Sequence, residues 1–420
     1  MTRLLPSAAL AALLVSGGAA QAQTLRVVEV LTTNERTGLM EQIVSDFEAA
    51  HEGVEVELVS VPWDSAFERI LNMAMSGQQI DVLEMPERWI STLAINDALT
   101  DLGPWLSEWE GADGLTDATM DFTKIYGDTS YFVPYGYFVR AMYYNKPLLE
   151  EAGYTEPPAT WDEFNEMARA VSELDGKYGY CLRGSTGGFV GWWLATSAMT
   201  GAETWFNEDG TSVFGSPEAV EGIQMMLDLY NDGAAPEDSV NWAFNEQVSG
   251  FYSGTCAFMD QDPDALIQVR ERMGDDFATA PVPLGPPGQI SPPIGMIGWA
   301  VPTSSENPEL AKELLGELMA PEVNLEWAKF MGVVPAVEIP EDDTYYSDPV
   351  FDGFFAELEG DQWQLMTWPA HLPELGEFFD VIAVETSQAA LLGQMSAEEL
   401  AEEWDSFLTE AQQRWMEENP

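Results

Sequence analysis

The stretch that decides the fold is residues 25–83, LRVVEVLTTNERTGLMEQIVSDFEAAHEGVEVELVSVPWDSAFERILNMAMSGQQIDVL. It begins with an apolar run at 25–31 that is typical of a strand, and apolar residues then recur at helical spacing over 39–47. A second strand is predicted at 54–61, a helix after it, and a short third strand at 81–83. Three strand–helix steps in so short a stretch predict an open parallel sheet of the α/β class.

The middle of the chain predicts a second α/β unit. Thr160 and Glu163 have the spacing of a capping box at the start of a helix, and a strand is predicted at 178–182. A helix that begins at Ser216 and a strand at 256–259 follow. We therefore expect two units of the same class.

Two segments are suited to cross between these units. Residues 131–144 are aromatic and favour a strand, but Pro134 and Gly136 interrupt them. Residues 281–293 contain six prolines, which remove backbone donors and stiffen the chain. We interpret both segments as crossings or hinges.

The charge of the chain excludes several classes of partner. Its 420 residues include 72 Asp and Glu against 16 Lys and Arg, a formal net charge of −56. Nucleic acid and anionic membranes are held by clustered Lys and Arg, which this sequence lacks, so we expect neither as a partner. Because 46% of the residues are hydrophobic, the chain has enough apolar material for a packed core. The acidic excess is interpreted as a solvated surface.

The first 22 residues have the pattern of a secretory signal peptide. Arg3 gives a short positive region, residues 4–15 are apolar, and Ala20-Gln21-Ala22 is a small-x-small cleavage pattern. The predicted mature chain starts at Gln23, without a lipid anchor because no Cys lies near the cut. We therefore expect an exported protein of the periplasm.

The two cysteines, Cys181 and Cys256, allow at most one disulfide. In an oxidising compartment a bridge and two separate buried thiols are both consistent with the sequence.

The sequence lacks the residues of several catalytic and metal sites. Two His residues are too few for a His-rich zinc site, and no G-x-S-x-G pattern is present. Asp260, Asp262, Asp264 and Glu271 follow the count of an EF-hand loop, but Ala265 stands where that loop needs Gly. We therefore predict no metal, no cofactor and no enzymatic activity.

The order of several motifs resembles the extracellular solute-binding proteins of family 1, the sugar-binding components of ABC importers. The motifs that carry this resemblance are Gly77-Gln78-Gln79-Ile80-Asp81-Val82, Val133-Pro134-Tyr135-Gly136, Met142-Tyr143-Tyr144-Asn145-Lys146, Pro158-Ala159-Thr160-Trp161-Asp162-Glu163-Phe164, residues 251–259, Ala300-Val301-Pro302 and Asn307-Pro308-Glu309-Leu310-Ala311.

The resemblance implies a two-lobed periplasmic binding protein fold of type II, in which each lobe is an open, mostly parallel sheet flanked by helices. The implied boundaries are residues 1–22 for the signal peptide, 23–136 with 294–336 for the first lobe, and 137–293 with 337–420 for the second. Hinge crossings are implied near 135–140, 286–293 and 335–340, and ligand would lie between the lobes.

The resemblance also implies a set of ligand-binding positions in the loops that face the cleft. They are Asn34, Glu35, Trp63, Glu84, Glu87, Arg88, Tyr137, Arg140, Arg183, Trp192, Asp260, Asp262 and Met296.

Three of these positions have sharper expected roles. Trp192 follows the Gly187-Gly188 turn, so it, or else its neighbour Trp193, is expected to face the cleft and stack on the ligand. Arg88 and Asp262 each follow a predicted strand and are expected to hydrogen-bond the ligand from opposite lobes.

The implied function is capture of a small neutral carbohydrate and its delivery to the permease subunits of an ABC transporter, by a monomeric protein. Two alternatives stay open: the same fold binding a polyamine or a quaternary ammonium cation, and an enzyme that acts on glycans.

Overall fold

The computed structural model describes residues 23–30, 32, 34–124, 129–340 and 342–419, with the backbone alone for Asn34, Glu35, Asp64 and Glu359. The predicted signal peptide therefore lies outside the described residues. The strands are β1 Gln23–Glu29, β2 Val54–Ser60, β3 Val82–Pro86, β4 Val133–Val139, β5 Ala141–Asn145, β6 Tyr178–Tyr180, β7 Cys256–Gln261, β8 Phe277–Ala280, β9 Pro293–Ala300, β10 Val334–Pro335 and β11 Met366–Thr367.

The strands are joined mostly by helices. The α-helices are α1 Asn34–Ala50, α2 Ala66–Met75, α3 Ile90–Ala94, α4 Gly103–Leu106, α5 Asp117–Phe122, α6 Lys146–Glu151, α7 Trp161–Ser172, α8 Phe189–Thr200, α9 Pro217–Asn231, α10 Phe244–Tyr252, α11 Leu266–Met273, α12 Pro308–Leu318, α13 Pro321–Met331, α14 Asp352–Glu359, α15 Leu375–Glu377, α16 Ala383–Leu391 and α17 Ala397–Glu418. One turn of π-helix, Phe378–Ile382, joins α15 to α16.

The strands form two separate open sheets, which confirms the predicted two-lobed α/β fold. The first sheet has seven strands in the order β10-β4-β9-β3-β1-β2, with β11 beside β9, and the second has four in the order β6-β7-β5-β8. The predicted steps at residues 25–83 form one edge of the first sheet, where β1 pairs in parallel with β2 and with β3.

The sheets are mixed, whereas the expectation was mostly parallel sheets. Strand β9 is antiparallel to both β3 and β4, and in the second sheet β5 is antiparallel to β7 and β8. The reason is the chain path. The segment that crosses from one sheet to the other and back brings strands in from the opposite direction, and no local pattern records that direction.

The crossing between the sheets lies at Arg140. Strand β4 belongs to the first sheet and ends at Val139, and β5 begins the second sheet at Ala141. The predicted lobe boundary at residue 136 falls inside β4. Residues 281–292 return the chain to the first sheet without a helix or a strand, as their proline content predicts.

The predicted capping box of Thr160 and Glu163 is confirmed at the start of α7, and Ser396 and Glu399 form another at the start of α17. Cys181 and Cys256 form a disulfide within the second lobe, which decides the alternative left open by the sequence.

No helix among the described residues is both long enough and apolar enough to cross a membrane.

Candidate functional site

A cavity of about 180 Å³ lies between the two sheets. By the same measure a single water requires about 10–15 Å³, so the cavity has room for a small solute. Its first-lobe side is lined by Thr32, Arg36, Pro62, Trp63, Pro86, Glu87, Arg88, Phe138, Pro293, Gly295, Met296 and Ile297. Its second-lobe side is lined by Arg140, Arg183, Gly187, Val190, Phe244, Asn245, Gln261, Asp262, Asp264, Trp368 and Phe379.

The first-lobe wall is built from the loops that follow β2 and β3. Trp63 lies in the turn after β2, and the Arg88 guanidinium, from the turn after β3, lies 4.8 Å from the centre of its ring. This is a cation–π distance, so the arginine covers one face of the indole.

Asp380 of the π-helix holds Arg88 from the other side. The Arg88 Nη2 atom is 3.1 Å from Asp380 Oδ1, and the Trp89 indole N–H donates to Asp380 Oδ2 at 3.0 Å. Both charged side chains of this pair are about one-tenth exposed. The C-terminal segment, whose apolar residues pack in the core of the second lobe, thereby contacts the first lobe through a buried ion pair.

Arg140 is the charged centre of the crossing. Its Nε donates to Asp260 Oδ2 at 3.0 Å, and its Nη1 donates to Asp262 Oδ2 and to Gln261 Oε1, both at 2.7 Å. Burial would lower the pKa of Arg140, but the carboxylates of Asp262 and Asp260 raise it instead. The arginine therefore stays charged, because its carboxylate and amide partners compensate for the loss of water around a buried charge.

Arg36 and Asp264 form a second ion pair between the lobes. Arg36 Nη2, from α1, is 3.2 Å from Asp264 Oδ2, which follows β7, and both side chains are buried. Burial raises the pKa of Asp264 to about 6, although Arg36 opposes the shift. The other carboxylate oxygen of Asp264 has no hydrogen-bond partner among the described residues.

Glu87 is the most deeply buried acid of the cavity. Its Oε2 accepts the backbone N–H of Met296 at 2.9 Å, and its Oε1 has no partner in the part of the chain that the structure describes. Burial raises the pKa of Glu87 to about 7 against the attraction of Arg88. Burial therefore disfavours the ionised form of this carboxyl group.

The charges around the cavity nearly cancel. Four arginines line it, and they are matched by the carboxyl groups that line it or contact them, namely Asp260, Asp262, Asp264, Asp380 and Glu87. In a chain with a net charge of −56, this local balance is a specific feature of the cleft.

The structure brings a large part of the predicted site together at the cavity. The predicted residues that line it are Trp63, Glu87, Arg88, Arg140, Arg183, Asp262 and Met296. Arg88 and Asp262 lie on opposite lobes, as the sequence predicts. Asn34 and Glu35 begin α1, but their side chains lie outside the described residues.

Three predicted residues are buried beside the cavity and do not line it. Glu84 accepts the Val30 N–H at 2.7 Å and the Tyr135 hydroxyl at 2.8 Å inside the first lobe.

Tyr137 and Asp260 are turned away for different reasons. Strand β4 has an irregularity between Pro134 and Gly136, after which Phe138 lines the cavity while the Tyr137 hydroxyl contacts Thr119. Asp260 lies behind Arg140 and accepts the hydroxyl of Tyr180.

The expectation that Trp192 faces the cleft is wrong. Trp192 is 1% exposed, and its ring packs edge-on against Trp404 at 6.0 Å in the second-lobe core. Trp193 is also buried, and its indole N–H donates to the Ser291 carbonyl at 2.7 Å. Neighbouring residues of a helix point in different directions, but α8 is covered on nearly all sides. Both Trp192 and Trp193 can therefore be buried, and neither has to face the cleft.

Several residues that line or support the cavity were not among the positions predicted from the sequence. Asp264 lies two residues after the predicted Asp262 in the same loop, so it could have been included with it. Trp368, Phe379 and Asp380 belong to a C-terminal segment that carries no motif for this site. Among the described residues, no group of three or more His, Cys, Asp or Glu is arranged to hold a metal ion.

Comparison with known proteins gives relatives of one kind. The sequence is 27% identical over 250 residues to a binding protein of Brucella abortus, covering 59% of this chain and 60% of that one. It is 25% identical over 271 residues to the sn-glycerol-3-phosphate-binding periplasmic protein UgpB of Yersinia pestis, covering 55% and 58%. The chain thus spans somewhat more than half the length of these curated relatives.

The fold has close structural counterparts as well. Maltose-bound MalE3 of T. maritima superposes with a TM-score of 0.80 at 25% identity, over 92% of this chain and 99% of the other. The family model described as bacterial extracellular solute-binding protein matches residues 32–325. With two lobes around a polar cavity, the chain belongs to this family, the solute-binding components of ABC importers.

Proposed function

We propose that this protein captures a small neutral carbohydrate between its two lobes and delivers it to the permease subunits of an ABC transporter. The observation that carries the proposal is the charge balance of the cavity. An anion would need a surplus of arginine over carboxylate, and a cation would need the reverse. A neutral polyhydroxylated ligand needs neither, and it can use both kinds of group as hydrogen-bond partners.

Aromatic residues give the cavity apolar surfaces for such a ligand. Trp63, Trp368 and Phe379 line it, and the ring atoms that border the cavity offer apolar contacts to the C–H groups of a sugar, although Arg88 lies over the rings of Trp63 and Phe379. The maltose bound to the T. maritima protein supports a sugar, whereas the name of the Yersinia relative points to a phosphate ester.

The cationic alternative is less well supported. A polyamine or quaternary ammonium group would use an aromatic face together with carboxylates, but Arg88 already lies over Trp63. The family and its structural relatives are transport proteins, so an enzyme acting on glycans is not favoured either.

A thermal-shift panel followed by calorimetry tests the proposal. The panel contains glucose, maltose, trehalose and ribitol as neutral compounds, sn-glycerol 3-phosphate as an anion, and putrescine and choline as cations. We expect a neutral compound to bind best, with an affinity that barely changes between low and high salt because no charge is screened. The proposal is contradicted if a cation binds tightest and its affinity falls steeply with salt. It is also contradicted if mass spectrometry shows that a sugar is converted to a product during incubation with the protein.

We also propose that the protein is a periplasmic monomer with its signal peptide removed after Ala22 and without a lipid anchor. The small-x-small pattern Ala20-Gln21-Ala22 and the lack of a Cys near it support this proposal. The intact mass of exported protein and its mass in solution test this. Retention of residues 1–22, an added lipid or a dimer contradicts it.

A further inference from the structure

One glycine lies at a contact between the two lobes. Gly332 follows α13, whose apolar residues pack in the first-lobe core. A Cβ atom at this glycine would lie 2.5 Å from the carbonyl oxygen of Pro263 and 3.2 Å from the carbon of the same carbonyl. Pro263 begins the short turn 263–265 after β7, and Ala265 of this turn packs in the second-lobe core. The backbones of the two lobes therefore approach each other closely at Gly332.

The carbonyl group at this contact is held in place by the residues on either side of it. The Tyr143 hydroxyl donates to the carbonyl oxygen of Asp262 at 2.8 Å, and the Asp264 carboxylate accepts from Arg36 at 3.2 Å. Real side chains do not approach a backbone atom as closely as 2.5 Å. A side chain at position 332 would therefore force either the turn or the lobes to move.

The same part of the second lobe carries two residues of the candidate site. Asp262 immediately precedes the turn and lines the cavity, where Arg140 donates to its carboxylate at 2.7 Å. Asp264, within the turn, lines the cavity as well. If the turn is displaced from the first lobe, both carboxyl groups move relative to the first-lobe wall. The width of the cavity therefore depends on how closely the lobes approach at Gly332.

We propose that Gly332 is a positioning residue of the cleft: because it has no side chain, the turn 263–265 can reach the first lobe, and any side chain at this position would wedge the lobes apart. This inference rests on the proposed function, and it adds a residue that lies outside the lining of the cavity. Apparent affinity is proportional to the fraction of molecules in which both walls can reach the ligand, so a wedge that lowers this fraction weakens binding by the same factor.

Gly332→Ala and Gly77→Ala form a matched pair of variants. The backbone angle φ is +79° at Gly332 and +67° at Gly77, the left-handed region in which alanine is strained, so both substitutions have a similar backbone cost. A Cβ atom at Gly77, which is exposed after α2, would meet no heavy atom of the described residues within 4 Å. Gly77→Ala therefore reports the backbone cost alone.

Calorimetry with the neutral compound of the panel that binds the wild type tightest compares the two variants. We expect Gly332→Ala to bind this compound about tenfold more weakly than the wild type and Gly77→Ala to bind it within about twofold. Without ligand, the melting temperatures of both variants should decrease by a similar few degrees. At saturation with the compound, small-angle X-ray scattering should give a larger radius of gyration for Gly332→Ala than for the wild type or Gly77→Ala.

A second pair of variants covers the case in which Gly332→Ala does not fold. Asparagine adopts the left-handed region more readily than alanine, so Gly332→Asn and Gly77→Asn lower the backbone cost and still introduce a Cβ atom. If both variants at position 332 fail to fold while both at position 77 fold, the contact is part of the fold itself and the inference is wrong.

The outcomes separate this inference from the proposed function. Equal affinities of Gly332→Ala and Gly77→Ala overturn the inference and leave the proposed function intact. A melting temperature of Gly332→Ala far below that of Gly77→Ala also overturns it, because the strain is then local to the turn. If a cation or sn-glycerol 3-phosphate binds the wild type tightest, the proposed function is wrong, and the same comparison with that compound decides the inference. If no compound of the panel binds, both are wrong.

Discussion

At the scale of single residues, two tryptophans show how different environments give the same side chain different roles. Trp192 is enclosed by the second-lobe core. Trp63 is half-buried, lies at the cavity and stacks on Trp89 at 6.0 Å. Burial of an aromatic ring on all sides stabilises the fold, whereas a ring that borders a cavity is available to a ligand.

Substitution of these two tryptophans separates stability from binding. Trp192→Ala should lower the free energy of unfolding by about 3–5 kcal/mol, because it leaves a cavity in a packed core. The affinity for the best neutral ligand should stay within twofold. Trp63→Ala should cost about 1–2 kcal/mol of binding, a 5–30-fold weaker affinity, with a smaller effect on stability. Urea unfolding and calorimetry measure the two quantities, and the reverse pattern contradicts this assignment.

The candidate site was partly predictable from the sequence, because some of its residues are placed by local pattern and others by distant parts of the chain. Arg88 and Asp262 follow strands, and the ends of strands meet at the edge of a sheet, so their position follows from local pattern. The orientation of Trp192 depends on residues far away in the chain, such as Trp404, that cover α8. The residue pattern within α8 does not show which distant residues pack against this helix.

At the scale of elements, the C-terminal segment links the lobes. Asp380 pairs with Arg88, and Thr92 donates to the Pro373 carbonyl at 2.6 Å, so α15 and the π-helix contact the first lobe next to the cavity. Deviations from α-helical geometry of this kind are frequent at functional sites.

Removing the Asp380 carboxylate should favour the open state. Asp380→Ala leaves the Arg88 guanidinium buried without that partner when the lobes close, and a broken buried pair costs about 3–5 kcal/mol. We expect ligand affinity to fall at least tenfold. The control is Asp232→Ala, which removes an exposed pair with Arg169 and should change little. Equal affinities of the two variants in calorimetry would contradict a linking role for the segment.

The elements themselves were largely predictable, and their pairing was not. The capping boxes of α7 and α17 are local signals that specify a helix start wherever they occur. The antiparallel position of β9 between β3 and β4 joins residues that are far apart in sequence. The sequence patterns did not predict β9, and single-sequence patterns do not specify which strands pair with each other.

At the scale of the whole molecule, the buried acids and the negative net charge both make the folded protein less stable as the pH rises. Burial raises the pKa of Glu87, Asp262, Asp264 and Glu357. The folded protein therefore binds more protons than the unfolded chain between about pH 4 and pH 7, and the free energy of unfolding decreases as the pH rises through this range. Asp209 and Asp343 have lowered pKa values and act only below this range, whereas the lowered pKa of the partly buried His371 opposes the four acids within it.

The melting temperature of the protein without ligand should therefore be higher at pH 5.5 than at pH 8. Repulsion within a chain of net charge −56 adds to the difference and is reduced by 1 M NaCl, so salt should raise the melting temperature most at pH 8. Differential scanning calorimetry at both pH values checks this, and a lower melting temperature at pH 5.5 would contradict it.

The insertion of β9 between β3 and β4 also fixes the order in which the two sheets can be completed during synthesis. All strands of the second sheet lie between residues 141 and 280, whereas the first sheet lacks an inner strand until residues 293–300 have emerged. A nascent chain that ends before residue 293 exposes one unpaired edge on β3 and both edges of β4, because β10 also follows later. Such edges pair readily with other chains, so truncated products of this protein should aggregate through the first lobe.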